Sequence, residues 1–309
     1  MISDVLFAAL GLGFIALVLS AALSPLETLS WWAGWTEQEL GDEAPPADPE
    51  GATPRLYIVY LSGVASISGR FLLPREKAFI RKLHQRFPGA AIVSDVFPYS
   101  PKGLPLLESP RLFEQLWRRV QTLKLYERPS ILSALINMRN IFQVMVSADH
   151  RYGPIFNQGA ASVIEAALLE DGYRRGSGAA VAIIGYSGGA QVAVGAAPFL
   201  SARLDAPIDV ISLGGVIASD PGLNYVRKVH HFIGERDRIE RVGAVMFPDR
   251  WPAAAYSEWN AAKREGRVEL HHLAGMSHAG VNGYFGRVPV KGVANADRTL
   301  DAVASLIKA

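Results

Sequence analysis

The chain contains no cysteine. That excludes a disulfide framework, a thiolate zinc site, an iron–sulfur cluster and a cysteine nucleophile. Positive charge is missing from the first 54 residues, because all 31 Lys and Arg lie at or after Arg55. Eight of the 29 acidic residues precede that point, so residues 1–54 carry −8 and residues 55–309 carry +10. No charge of either sign falls between Asp4 and Glu27. There is no P-loop, Rossmann glycine fingerprint, zinc-binding helix motif or EF-hand loop, so no cofactor is expected. There is no internal repeat. What remains is a half-apolar chain of 309 residues with 29 Gly and 19 Pro. It is long enough to bury a sizeable core and too hydrophobic for disorder or collagen.

Residues 5–23 are almost wholly apolar. Nineteen residues at 1.5 Å each make about 28 Å of helix, close to the hydrocarbon thickness of a bilayer. Trp31, Trp32 and Trp35 follow, at the depth where interfacial aromatics sit. Residues 1–35 therefore read as an N-terminal transmembrane anchor. A cleavable signal peptide is the alternative, but Met1-Ile2-Ser3-Asp4 has no basic residue and the apolar run exceeds a typical signal core. The acidic flank leans toward the non-cytoplasmic side. Residues 36–54 hold Pro45, Pro46, Pro49 and Pro54 among acids and read as an extended, solvated linker.

From Arg55 onward, strands and helices alternate. The continuous apolar, β-branched run at 56–61 predicts a strand buried on both faces, and the segments 90–97, 179–186, 208–213, 226–233 and 268–273 read as further strands. Helical patterns at 75–87, 161–173, 188–204, 253–264 and 297–308 lie between and after them. This order implies an α/β fold with a mostly parallel sheet covered on both sides. Between the fourth and fifth strands only about a dozen residues remain, so a crossover helix there is short or missing. Residues 98–159 do not fit a minimal alternation. They hold two further helical patterns, at 111–126 and 131–146, and read either as a cap over a binding site or as an extra packing layer.

Gly185-Tyr186-Ser187-Gly188-Gly189 places a serine one residue past an apolar strand and one before a small-residue helix. A tight strand-to-helix turn holds its central residue at strained angles and needs glycines two before and two after. It lifts the hydroxyl clear of the sheet. Ser187 is thus a candidate nucleophile, or else only a helix cap. A serine hydroxyl needs a base, and the base needs an orienting carboxylate. Of the seven histidines, His278 lies in a polar loop directly after the last strand. His230, His231, His271 and His272 fall within strands, where one of each pair should point inward. No acidic residue is spaced to join them, so no metal site is expected there. His84 lies on a helix and His150 in the insertion. Asp237, in the turn after the 226–233 strand, is the first choice for the carboxylate, with Asp220 and Glu235 as rivals.

Taken together, residues 55–309 resemble the α/β-hydrolase superfamily. The elbow serine Ser187, the acid Asp237 and the histidine His278 stand in that family's chain order. The resemblance implies a serine hydrolase cleaving a carboxylic ester or related acyl bond without metal or other cofactor. It also implies an oxyanion hole from the backbone N–H of Gly188 and of a residue after the first strand, by position Val64. Many family members have His-Gly before that second donor, where this chain has Ser62-Gly63. Tethering, a basic body and an apolar insertion together point to a lipid or other hydrophobic ester. An inert hydrolase-fold binding module, or an acyltransferase or peptidase using the same residues, are the other readings. The basic residues are interspersed with acids, so nucleic acid is not expected as a partner.

Overall fold

In the computed structural model the described residues are 54–69, 72–100, 131–287, 289–290 and 292–307, with 11, 15, 19 and 26 as isolated helical positions. Apart from those isolated positions and residue 54, the expected anchor and linker lie outside them, as does the expected helix at 111–126. Among the described residues no helix is long and apolar enough to cross a membrane.

Six strands form one parallel sheet: β1 (Leu56–Leu61), β2 (Ala91–Val93), β3 (Ala180–Tyr186), β4 (Ile208–Leu213), β5 (Lys228–Gly234) and β6 (Val268–Leu273), in the order β2-β1-β3-β4-β5-β6. The helices are α1 (Pro74–Arg86), α2 (Ile131–Ala148), α3 (Gly153–Glu170), α4 (Gly188–Leu204), α5 (Arg238–Met246), α6 (Glu258–Arg264) and α7 (Asn295–Ala304). Between them lie short 3₁₀ turns at Pro221–Asn224 and Pro248–Arg250 and a hairpin, β7 (Pro289–Val290) with β8 (Val293–Ala294).

The two faces of the sheet bury separate cores, as alternation along a strand requires. Tyr57, Val59, Val181 and Ile183 pack against Phe156 and Ile164 of α3, Leu200 of α4 and Trp259 of α6. Ile58, Tyr60, Ile184 and Phe232 pack on the other face against Phe79 and Leu83 of α1 and Leu300 of α7. The central strands β1 and β3 are nearly continuous apolar runs for this reason. β1 sits between β2 and β3, so the chain leaving β1 and the chain leaving β3 turn to opposite faces, into α1 and α4. A crevice opens outside the strand ends at such a reversal, the usual place for a ligand in a parallel sheet. The loop Ser62–Gly63–Val64 and the turn at Ser187 flank it.

Several elements differ from the sequence reading. The second strand stops at Val93 instead of 97. It is an edge strand, and the Gly69 backbone presses on the Asp95 carbonyl, where a Cβ would approach to 1.5 Å. Phe97 leaves the sheet to stack edge-on against Tyr99. The 161–173 helix begins earlier, at Gly153, where Pro154 occupies the first turn. The 253–264 helix shortens to Glu258–Arg264, capped by Ser257, whose hydroxyl accepts the Asn260 N–H. Helix α5 was not read from the sequence at all. The short link after β4 holds only a 3₁₀ turn.

Candidate active site

Ser187 stands between β3 and α4 with φ 54° and ψ −124°, a backbone region that L residues avoid. Holding it there costs on the order of 1–3 kcal/mol, supplied by the packing around it. The flanking glycines make this possible. A Cβ on Gly185 would lie 2.5 Å from Ala190 Cα, and one on Gly189 would lie 2.6 Å from the Leu61 carbonyl oxygen. Both collisions are with backbone, which cannot swing aside. The Ser187 side chain makes no cap to its own helix, so its hydroxyl is left for other partners.

One of these is His278. Its Nε2 lies 3.0 Å from Ser187 Oγ, and its Nδ1 lies 2.9 Å from Asp237 Oδ2 and 3.1 Å from Oδ1. Asp237 is fully buried. It caps α5, its Oδ1 accepting the N–H groups of Ile239 and Glu240, while Oδ2 accepts the Tyr284 hydroxyl at 2.8 Å. Burial alone would push this carboxyl upward. The hydrogen bond and charge of His278, the Glu240 N–H and the Tyr284 hydroxyl outweigh it, and the carboxyl titrates below its ordinary value. An ionised acid facing Nδ1 fixes the imidazole with Nδ1 as donor and Nε2 as acceptor, ready to take a proton from the serine.

The rival acids stand elsewhere. Asp220 accepts the Gln191 side chain and the Gly222 N–H. Glu235 accepts the Gly275 N–H on an exposed turn. Neither has a bond to His278.

Gly188 and Val64 lie side by side across the crevice: a methyl group added at Gly188 would come within 2.9 Å of Val64 Cγ1 and 2.5 Å of Val144 Cγ2. Neither N–H donates to a backbone carbonyl among the described residues. Gly188 also stands in the first turn of α4, where the helix dipole favours negative charge.

Four supporting residues carried no signal in the sequence. Tyr186 stacks on the His278 ring, centroids 5.3 Å apart, and donates its hydroxyl to the His278 carbonyl. Tyr284 accepts the Gly234 N–H while donating to Asp237. Tyr99 donates to the Ser62 carbonyl, and Asn140 of α2 donates from Nδ2 to the carbonyls of Val64 and Ser66, each at 2.8 Å. Part of the 98–159 insertion thus clamps the loop carrying Val64. Each of these pairs joins distant parts of the chain, which periodicity does not reveal.

A cavity of about 350 Å³ opens beside His278, walled by Tyr186, Tyr284, Phe285 and Leu73 with Glu76 and Asn137 among its polar members. Further from the crevice, His231 is fully buried between Ser212 Oγ at 2.8 Å and Glu240 at 3.1 Å, and Arg250 holds the same carboxylate. This largely buried Ser–His–Glu–Arg chain ties α5 to the sheet.

The strand histidines behave differently from expectation. His230 and His231 are both buried, because β5 is covered on either face. The expectation that no acid could join the histidines also fails: Glu269 Oε2 lies 3.4 Å from His230 Nδ1 and 3.9 Å from His271 Nε2. The spacing of 269 and 271 along one strand was visible, but the pairing that sets Glu269 opposite His230 was not.

No family model matches the chain, and no curated protein does. Among solved structures it is similar to MGS-M1, an α/β-hydrolase enzyme from a Medee basin deep-sea metagenome library. The match has 14% identity and a TM-score of 0.36, covering 88% of this chain and 90% of that one.

Proposed function

We propose that the protein is a membrane-tethered serine hydrolase of the α/β-hydrolase type that cleaves a carboxylic ester with a hydrophobic acyl group. The observation carrying this reading is the single imidazole of His278 set between Ser187 Oγ at 3.0 Å and the buried Asp237 carboxylate at 2.9 Å.

In the reaction, Ser187 Oγ attacks the acyl carbon as His278 Nε2 takes its proton. Asp237 holds Nδ1–H and stabilises the imidazolium that forms. The N–H groups of Gly188 and Val64 receive the oxyanion, which the N-terminus of α4 also favours. His278 then gives the proton to the departing alcohol. Water, deprotonated by the same imidazole, attacks the acyl carbon, and the imidazolium returns the proton to Ser187 Oγ as the acid departs. Every step is a proton or acyl transfer, and the residues named suffice for it. The hydrophobic substrate is supported by the aromatic walls of the neighbouring cavity and by residues 5–23, which would hold the domain at a bilayer surface.

A fluorophosphonate probe should label the wild-type protein covalently, and Ser187→Ala should abolish labelling while the fold persists. Equal labelling of both proteins would end the proposal. A chain-length series of p-nitrophenyl esters should favour medium or long acyl groups; hydrolysis of acetate alone would remove the hydrophobic-substrate part.

A further inference from the structure

We propose that His230, Glu269 and His271 form a binding site for one divalent transition-metal ion of the zinc type, separate from the Ser187 site. The parallel register sets His230 of β5 opposite Glu269 of β6, and His271 stands two residues further along the same face. Three donor atoms converge: His230 Nδ1 and His271 Nε2 are 3.1 Å apart, and Glu269 Oε2 is 3.4 Å from the first and 3.9 Å from the second. Ligands at about 2.1 Å from a tetrahedral ion stand roughly 3.4 Å from one another. The three separations bracket that value.

Two nitrogens and one carboxylate oxygen are a donor set that zinc accepts, with the fourth position left for water. The rings are also held in place. His271 stacks on Phe232 with centroids 4.8 Å apart, and His230 is buried in the sheet. Lys228 pairs with Glu269 Oε1, which orients the carboxylate and leaves Oε2 for the ion. Lys228 is the one cation in contact with the cluster among the described residues. Asp209, its register partner on β4, is itself paired with Arg227. His271 and Glu269 are partly open to solvent, so an ion can enter without unfolding. His272 points to the opposite face of the strand. The site lies short of Gly234 and Leu273, the strand ends beyond which Asp237 and His278 follow, so an ion there would clip the edge strand β6 to β5 without touching the serine.

The test is isothermal titration of the full chain, stripped with chelator and freed of any affinity tag, with zinc chloride in a non-coordinating buffer. One ion per chain is expected, with a Kd below about 10 µM. Glu269→Gln and His271→Gln, both at partly exposed positions, should each weaken binding at least about tenfold, with unchanged circular dichroism. His84→Gln and His278→Gln should bind as wild type. Saturating zinc should raise the melting temperature of the wild type and not of Glu269→Gln, and cobalt(II) should give the visible absorption of a four-coordinate ion. Absence of saturable binding, or binding indifferent to both ligand variants, would overturn the proposal. Loss of binding in His278→Gln would instead move the ion to the serine site and overturn it equally.

Discussion

Tyr284 donates to the acid and accepts from the backbone, and deleting one oxygen tests both. In Tyr284→Phe the ring keeps its place beside Tyr186 and His278. What disappears is a 2.8 Å bond to Asp237 Oδ2 and a 2.7 Å bond from the Gly234 N–H, both buried. The bond to the carboxylate is worth about 1.5–3 kcal/mol, and an orphaned N–H costs about 1–3 kcal/mol. Their sum gives a loss of about 2.5–6 kcal/mol. At about 2–4 °C per kcal/mol for a domain of this size, Tm should fall by roughly 5–24 °C. Activity should respond less. Asp237 retains His278 and the N–H groups of Ile239 and Glu240, so the imidazole stays oriented. A drop in kcat/KM of about 3- to 30-fold follows, or about 1–2 kcal/mol of positioning. Asp237→Asn turns an N–H toward Nδ1 and should cost about 10⁴-fold. Thermal melts followed by circular dichroism and p-nitrophenyl butyrate hydrolysis supply both numbers. A Tm within 2 °C of wild type would refute the energetic argument. An activity loss as deep as that of Asp237→Asn would show that Tyr284 does more than hold the acid.

Two further outcomes are expected. Asn140→Ala removes the clamp on Val64 and Ser66; kcat should fall by about 10- to 100-fold with KM nearly constant, and an equal loss in KM would place Asn140 in substrate binding instead. Asp237 and Glu240 both titrate below their ordinary values, each lifted by burial but pulled down further, Asp237 by His278 and Glu240 by His231 and Arg250. The unfolded chain therefore binds protons first as pH falls, so stability is full above about pH 5 and is lost as pH drops below about 4 through the folded values. Urea midpoints across that range should show the loss, and Glu240→Gln should flatten it; an unchanged slope would mean Glu240 does not contribute.

How much was legible depended on where each element lies. The 56–61, 188–204, 208–213 and 268–273 segments have the bounds read from the sequence. The inner strands 56–61 and 208–213 are written mostly in apolar residues, the edge strand 268–273 alternates between its faces, and a helix opening at a glycine pair announces its start. Edge strand β2 has a partner on one side only, so its composition overstated its length. Helix α5 was hidden because Asp237 reads equally as turn or cap; it is a cap. Ser187, Asp237 and His278 could be singled out because each follows a strand end, and strand ends gather at one rim of a parallel sheet. Tyr284, Asn140 and the Glu269 cluster depend on pairing between distant segments. Only the folded chain supplies that.

Asp237 has two employments that cannot be separated, since one carboxylate both faces His278 and, through Oδ1, starts α5. Unwinding of that helix by heat or acid would release the carboxylate in the same event. Heat-inactivated samples should therefore be mixtures of fully competent and fully dead molecules, with no impaired intermediate population to rescue.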